Sequence, residues 1–320
     1  MGYGGYDLEA HQAATKAREA LPKEAIFKQG ACHDEMSPAF LKPRESRDSP
    51  LHPCSVGVVF ALDVSGSMGA IPHQMATRTL PTFMKCVTTV IPDPQLLFIA
   101  FGNAWADRSP IQVGQFESEA ALIDRWLGLI HLEGGGGGVG ESYELAMWVA
   151  SNYTRMDCIE NRHNKGYYFM TGDERTFGTL NAAQVQSLFH ETIPSDCSTN
   201  DVADALLEKF HVFMLIPDPG HIEDSGCVAF WQHFLRERVI VVPHPEDMAV
   251  VAATLIGIQE GQIRSDAEIS AFLETRLGRT GPDRDRILSV VSPYAAAIAA
   301  GPLSPLGLLG PPATFPAFKG

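Results

Sequence analysis

Asp63, Ser65 and Ser67 occupy alternate positions in Asp63-Val64-Ser65-Gly66-Ser67-Met68-Gly69, and the run leading into them, Val58-Val59-Phe60-Ala61-Leu62, is wholly apolar. A carboxylate and two hydroxyls delivered by one tight loop are hard oxygen donors, the kind Mg²⁺ takes into an octahedral shell that keeps part of its water. A second acidic loop, Thr171-Gly172-Asp173-Glu174, closes another apolar run that begins at Gly166. Two acidic loops at one edge of a sheet repel each other unless a cation lies between them.

Asp-x-Ser-x-Ser at the end of a buried strand, followed by Met68-Gly69, resembles the opening of the metal-ion-dependent adhesion site (MIDAS) of von Willebrand factor A (vWA) domains, of the cytoplasmic bacterial or phage type. The resemblance covers about residues 54–262. It implies Mg²⁺, with Mn²⁺ or Ca²⁺ as alternatives, and further ligands from two later loops. Asp173 matches the family's aspartate after the fourth strand, although the order Thr-Gly-Asp in place of Thr-Asp-Gly shifts the carboxylate by one residue; Glu174 is its weaker substitute. The middle loop departs further, reading Glu133-Gly134-Gly135-Gly136-Gly137-Gly138-Val139-Gly140-Glu141-Ser142 where the family places a threonine. Glu141 falls nearest that position and Ser142 is the next oxygen. The implied metal set is therefore Asp63, Ser65, Ser67, Asp173 and one of Glu141 or Ser142. A third carboxylate would hold the cation harder and reduce its pull on an anionic partner.

Elements that could position these loops alternate along the chain. Buried-strand runs are expected at Val56–Asp63, Leu96–Phe101, Gly166–Thr171, Val212–Ile216 and Val239–Val242, with a weaker edge strand at Ile111–Phe116. Helical patterns fall at Ile71–Val90, Glu119–Ile130, Glu141–Asn152, Ala182–Phe189, Val202–Phe210, Cys227–Arg236 and Asp247–Ile258. Pro72 is tolerated in a first turn and Pro81 predicts a kink. Pro217-Asp218-Pro219-Gly220 closes the strand before it. This alternation predicts an α/β fold, a doubly wound and mostly parallel sheet with helices on both faces. In such sheets ligands gather outside the carboxyl ends of the strands, where both acidic loops stand.

Residues 1–53 read as an N-terminal extension with one helix, Leu8–Leu21, and a solvated loop from Ser37 to Pro53 that contains Arg44, Arg47 and Asp48. Residues 263–320 read as a C-terminal helix and a Pro/Gly-rich tail with Phe315 and Phe318. Ser265 and Glu268 form the Ser-x-x-Glu capping box of that helix, Ile269, Phe272, Leu273 and Leu277 its apolar stripe, and Gly278 its stop.

The 320 residues are 45% hydrophobic and 19% charged, an ordinary globular composition, and the net charge of -14 lacks the basic footprint that nucleic acid or an anionic membrane requires. No basic start and apolar core of a signal peptide follow Met1, and the six cysteines form no Cys-x-x-Cys pair; a cytoplasmic chain with reduced thiols is the expectation. From Arg286 to Lys319 the chain carries no charge, but Pro293, Pro302, Pro305, Pro311, Pro312 and Pro316 interrupt it before a span of about 20 residues can form. Gly135 to Gly140 has the outer spacing of a phosphate-binding loop, yet Glu141-Ser142 stands where that motif needs Lys and Ser or Thr, so the charge is inverted. His73 near Ser65 and Ser67 lacks a Gly-x-Ser-x-Gly frame, His52, His131, His163 and His221 lack zinc-type spacing, and Cys158 with His163 is a lone pair.

No enzyme is expected. The resemblance implies a protein-binding module in which an Asp or Glu of a partner completes the metal shell, and family association suggests an adaptor to an AAA+ ATPase of the MoxR type. The alternative from another class is a structural subunit of an oligomeric or phage-like assembly that uses its terminal extensions. A metal-dependent hydrolase ranks third, because no base stands near the ligands.

Overall fold

The computed structural model describes residues 4–19, 21–74, 79–134, 140–217 and 226–309. Expectations for Gly135–Val139, for Asp218-Pro219-Gly220 and His221, for positions 75–78 of the Ile71–Val90 helix, and for the tail beyond Leu309 with Phe315 and Phe318 lie outside these residues.

Among the described residues six strands form the central sheet: β1 (Ser55–Asp63), β2 (Asp93–Phe101), β3 (Ile111–Val113), β4 (Gly166–Thr171), β5 (Phe210–Pro217) and β6 (Val239–Val242). Their order is β6-β5-β4-β1-β2-β3, parallel throughout except that β3 runs antiparallel to β2. The direction of winding reverses at β1, which lies between β4 and β2. The carboxyl end of β1 is thus where a crevice must open.

Side chains of β1 alternate between two cores. Val58, Phe60 and Leu62 face one, Val59 and Ala61 the other, and all five are buried. Phe60 is paired in register with Phe98 on β2 and Phe169 on β4, and Phe169 with Phe213 on β5. Their rings stack in a row, with centroids 6.4, 5.4 and 5.2 Å apart along it. Such rows bind neighbouring strands by more than their area alone. On the opposite face, α4 (Tyr143–Tyr153), α5 (Ala182–Phe189), α6 (Thr199–Lys209) and α7 (Cys227–Leu235) cover the sheet. The first face is covered by α2 (Leu80–Val87), α3 (Ala120–Gly128) and α8 (Met248–Gln259). The doubly wound α/β fold is the one the alternation predicts.

Helix α8 is buried at every position from Met248 to Ile258, so it needs cover on its outer side too. Helices α9 (Asp266–Thr275) and α10 (Gly281–Ala300) supply it through Ile269, Leu273, Ile287, Val291 and Tyr294. Ser265 caps α9 by accepting the Glu268 N–H at 3.3 Å, whereas Glu268 reaches back one residue further than a capping box requires, to the Arg264 N–H at 2.7 Å. Helix α10 was not expected: Pro293 lies inside its 20 residues, where it removes one backbone bond without ending the helix. Among the described residues no helix is long and apolar enough to cross a membrane.

The N-terminal helix α1 (Leu8–Glu19) docks through buried His11, whose Nε2 is 2.9 Å from Asp124 Oδ1. The stretch from Ser37 to Pro53 is not the solvated loop expected. Arg44–Ser46 pairs in parallel with Thr154–Met156. Arg47 bonds Asp157 and Glu160, and Asp48 accepts from Ser55 and Arg162, tying the extension to the amino end of β1. Single residues in loop-like sequence gave no sign of partners about 110 positions away. The six cysteines are free thiols.

Candidate metal centre

The loop after β1 is drawn tight by its own side chains. Asp63, fully buried, accepts the Ser65 N–H through Oδ1 at 2.8 Å, and the Ser65 and Ser67 hydroxyls are 2.9 Å apart. Ser67 Oγ then donates to Asp173 Oδ1 at 2.9 Å, joining the β1 loop to the β4 loop. Thr171 pairs with Leu62 in register, so parallel neighbouring strands deliver both loops to one place.

Gly172 explains the Thr-Gly-Asp order. A Cβ there would lie 1.8 Å from the Tyr143 hydroxyl and 3.0 Å from Asp63 Oδ2, so only glycine lets the chain pass this close. The extra residue does not carry Asp173 away from Ser67.

From Gly140 onward the middle loop is stitched to the β4 loop. Gly140 N–H donates to Glu174 Oε2 at 2.6 Å, Glu141 N–H to the Arg175 carbonyl at 2.9 Å, and Thr176 Oγ1 to Glu144. Glu174 is thereby engaged with the middle loop. Ser142 is fully buried, and its hydroxyl oxygen accepts the Ala104 N–H at 3.0 Å, which fixes the loop after β2. Glu141 is 2% exposed, and its Oε2 has no hydrogen-bond partner among the described residues.

Electrostatics sharpen the picture. Burial pushes the Asp63 carboxyl up to about 8, with Asp173 and Glu174 adding to the rise and the Ser65 hydrogen bonds opposing it. Burial also pushes Glu141 up to about 10, reinforced by Asp63, Glu174, Asp107 and Asp173. No Lys, Arg or His among the described residues forms an ion pair with Asp63 or Glu141. Among the described residues no group of three or more His, Cys, Asp and Glu is placed to hold a metal ion, so Asp63, Asp173 and Glu141 do not stand as a preformed three-carboxylate cluster. The oxygen set here mixes carboxylates with two hydroxyls, which fits a hard divalent cation, and an unbonded buried carboxylate oxygen fits it too.

Three contributors, Tyr143, Trp231 and Glu144, were missed in the sequence. Tyr143 is fully buried, its hydroxyl 3.5 Å from Asp63 Oδ2 and its ring against Phe101 and Trp231 at 4.6 and 4.8 Å. Trp231 in turn donates Nε1–H to the Glu174 carbonyl at 2.9 Å. Glu144, buried and pushed up to about 8 by burial, secures Thr176. An acidic residue inside the otherwise apolar start of a helix was the available signal for Glu144; the aromatic wall had none.

No protein-family model matches the sequence, and no curated relative does. Among solved structures, the chain is similar to proximal thread matrix protein 1 from the mussel byssus (12% identity, TM-score 0.40, 64% of this chain and 46% of that one). It is also similar to the pilus adhesin SpaC of Lactobacillus rhamnosus GG (12%, 0.44, 69% and 30%) and to a von Willebrand factor type A protein from Catenulispora acidiphila (13%, 0.36, 71% and 49%). The mussel protein is also known with a zinc-occupied MIDAS motif. The chain spans less than half the length of each of these proteins.

Proposed function

We propose that this chain is a vWA-type binding module that holds one divalent cation, Mg²⁺ in the first instance, at Asp63, Ser65, Ser67, Asp173 and Glu141. The observation that carries the reading is the closure of two loops by the Ser67–Asp173 hydrogen bond beside buried Asp63 and the unbonded Glu141 Oε2. A bound cation would balance the buried carboxylates and leave a coordination position for an Asp or Glu of a protein partner, a charge-assisted contact at the centre of an interface. Ser142 then serves as the brace of the middle loop. Binding rather than catalysis is proposed because the Ser65 hydroxyl is bonded to Ser67 and not to a base.

The partner implied by the family resemblance is an AAA+ ATPase of the MoxR type, in a cytoplasmic setting. Capture of partners from the native host, with Mg²⁺ and with EDTA, and with Asp63→Ala, tests the reading. A partner lost with EDTA and in the variant supports it; one captured equally in all three conditions refutes metal-mediated binding.

A further inference from the structure

At the amino ends of the strands, away from the loops that carry Asp63 and Asp173, an open cavity of about 330 Å³ lies between the sheet and α10. The start of β5 supplies Phe210 and His211 to its wall, Lys165 and Arg238 stand just ahead of β4 and β6, and Gln259 ends α8. Tyr294 and Ile298 of α10, with Leu303 beyond it, close the other side. A cavity of this size falls at the lower end of the range for small-molecule sites.

The polar groups of this wall are donors. Lys165 gives one hydrogen to the Leu207 carbonyl in the last turn of α6 at 2.6 Å, and its ammonium keeps the others. Arg238 commits Nη1 to the Leu235 and Ser304 carbonyls at 3.3 and 2.9 Å, while its Nε and Nη2 have no hydrogen bond among the described residues. Tyr294 donates its hydroxyl to Gln259 Oε1 at 2.6 Å, so what Gln259 has left is its amide nitrogen. Bonds to carbonyls hold the two cationic heads in place without neutralising them.

No Asp or Glu is among the residues lining the cavity, in a chain with 38 acidic residues against 24 basic ones. Glu237 and Glu260 stand outside the wall and accept from Ser304 and from Tyr167. Burial, then Lys165 and Arg238, push His211 down to about 4, so its imidazole is neutral at pH 7 and the positive field comes from the other two. A wall of donors beside apolar side chains complements an anionic head on an apolar body. We propose that this cavity binds a small organic carboxylate, its head bonded by Arg238 and Lys165 and its body set against Phe210, Ile298 and Leu303. The adjacent Nε and Nη2 of a guanidinium form a planar fork that matches the two oxygens of a carboxylate. An occupant would bridge the sheet and α10, and its binding should therefore also raise Tm.

Isothermal titration of the full chain with phenylacetate at millimolar concentration tests the site, with EDTA present so that no cation at the Asp63 loop can take the carboxylate. One phenylacetate per chain is expected, with a shift of the His211 imidazole resonances in NMR. Binding should be at least about tenfold weaker in Lys165→Glu and in Arg238→Met, the loss of one charge-assisted bond. Phenylacetamide, which keeps the ring without the charge, and acetate and inorganic phosphate, which keep the charge without the ring, should each bind at least about tenfold more weakly than phenylacetate. No saturable binding of phenylacetate to the wild type, equal affinity in wild type and Lys165→Glu, or equally tight binding of any of the three controls overturns the proposal. Lys165 is exposed, so Lys165→Glu decides the outcome should Arg238→Met not fold.

Discussion

Replacing Glu141 with Gln should make the metal-free protein more stable at pH 8 and its response to Mg²⁺ weaker. Ordinary carboxyls ionise near pH 4, whereas burial, helped by Asp173 and Glu174 at Asp63 and by Asp63 and Glu174 at Glu141, raises both carboxyls well above that range in the folded chain. Above the ordinary range the unfolded chain has lost protons that the folded chain keeps, so for these groups stability is greatest below about pH 4 and falls as pH rises through neutrality. Each such proton removes about 1.4 kcal/mol of stability per pH unit. With Glu141 replaced by a neutral amide, one proton drops out, and the loss between pH 6 and pH 7 should be shallower by about 1.4 kcal/mol. A cation reverses the ranking. At a hundredfold excess over its Kd it adds about 2.7 kcal/mol to the wild type, and less to a variant that lacks one ligand carboxylate. Urea unfolding at pH 6, 7 and 8, with EDTA and with Mg²⁺, reads both effects. Equal pH slopes for the two proteins, together with an equal gain from Mg²⁺, would refute the placement of Glu141 beside Asp63 in a cation site.

Three other substitutions probe the frame around the site. Gly172→Ala drives a methyl into the Tyr143 hydroxyl and should cost about 1–3 kcal/mol while abolishing the cation-dependent rise in Tm; an undisturbed cation response would contradict the close packing. Pro293→Ala restores a backbone bond inside α10 and should stabilise the chain by about 1–3 kcal/mol in urea unfolding. Arg47→Ala breaks bonds to Glu45, Asp157 and Glu160 and should destabilise by about 1–2 kcal/mol, a loss that shrinks in 1 M salt.

How much of this was legible beforehand follows from the range of the interactions. The strands of the central sheet and the loop Asp63-Val64-Ser65-Gly66-Ser67 are written in contiguous residues, by apolar runs and by local spacing, and the fold class followed from them. Helix α10 was hidden because Pro293 reads as a breaker, and only burial of α8 from outside reveals the need for it. The pairing of Arg47 and Asp48 with residues beyond position 150 left no local trace. In the site, Thr171-Gly172-Asp173 looked like a displacement, yet Gly172 is what the Tyr143 wall demands. Counting back from the helix put Glu141 ahead of Ser142 by position alone; what no local pattern showed is that Ser142 Oγ accepts the Ala104 N–H while Glu141 Oε2 has no bond among the described residues.

A single cation held between the β1 and β4 loops can be read without any partner, by titration with Mn²⁺ followed by its paramagnetic resonance. One site per chain is expected, displaced by Mg²⁺, weakened by Glu141→Gln and abolished by Asp63→Ala in protein that remains folded. Binding of Mn²⁺ that is unchanged in Asp63→Ala, or its absence from the wild type at millimolar concentration, would contradict it.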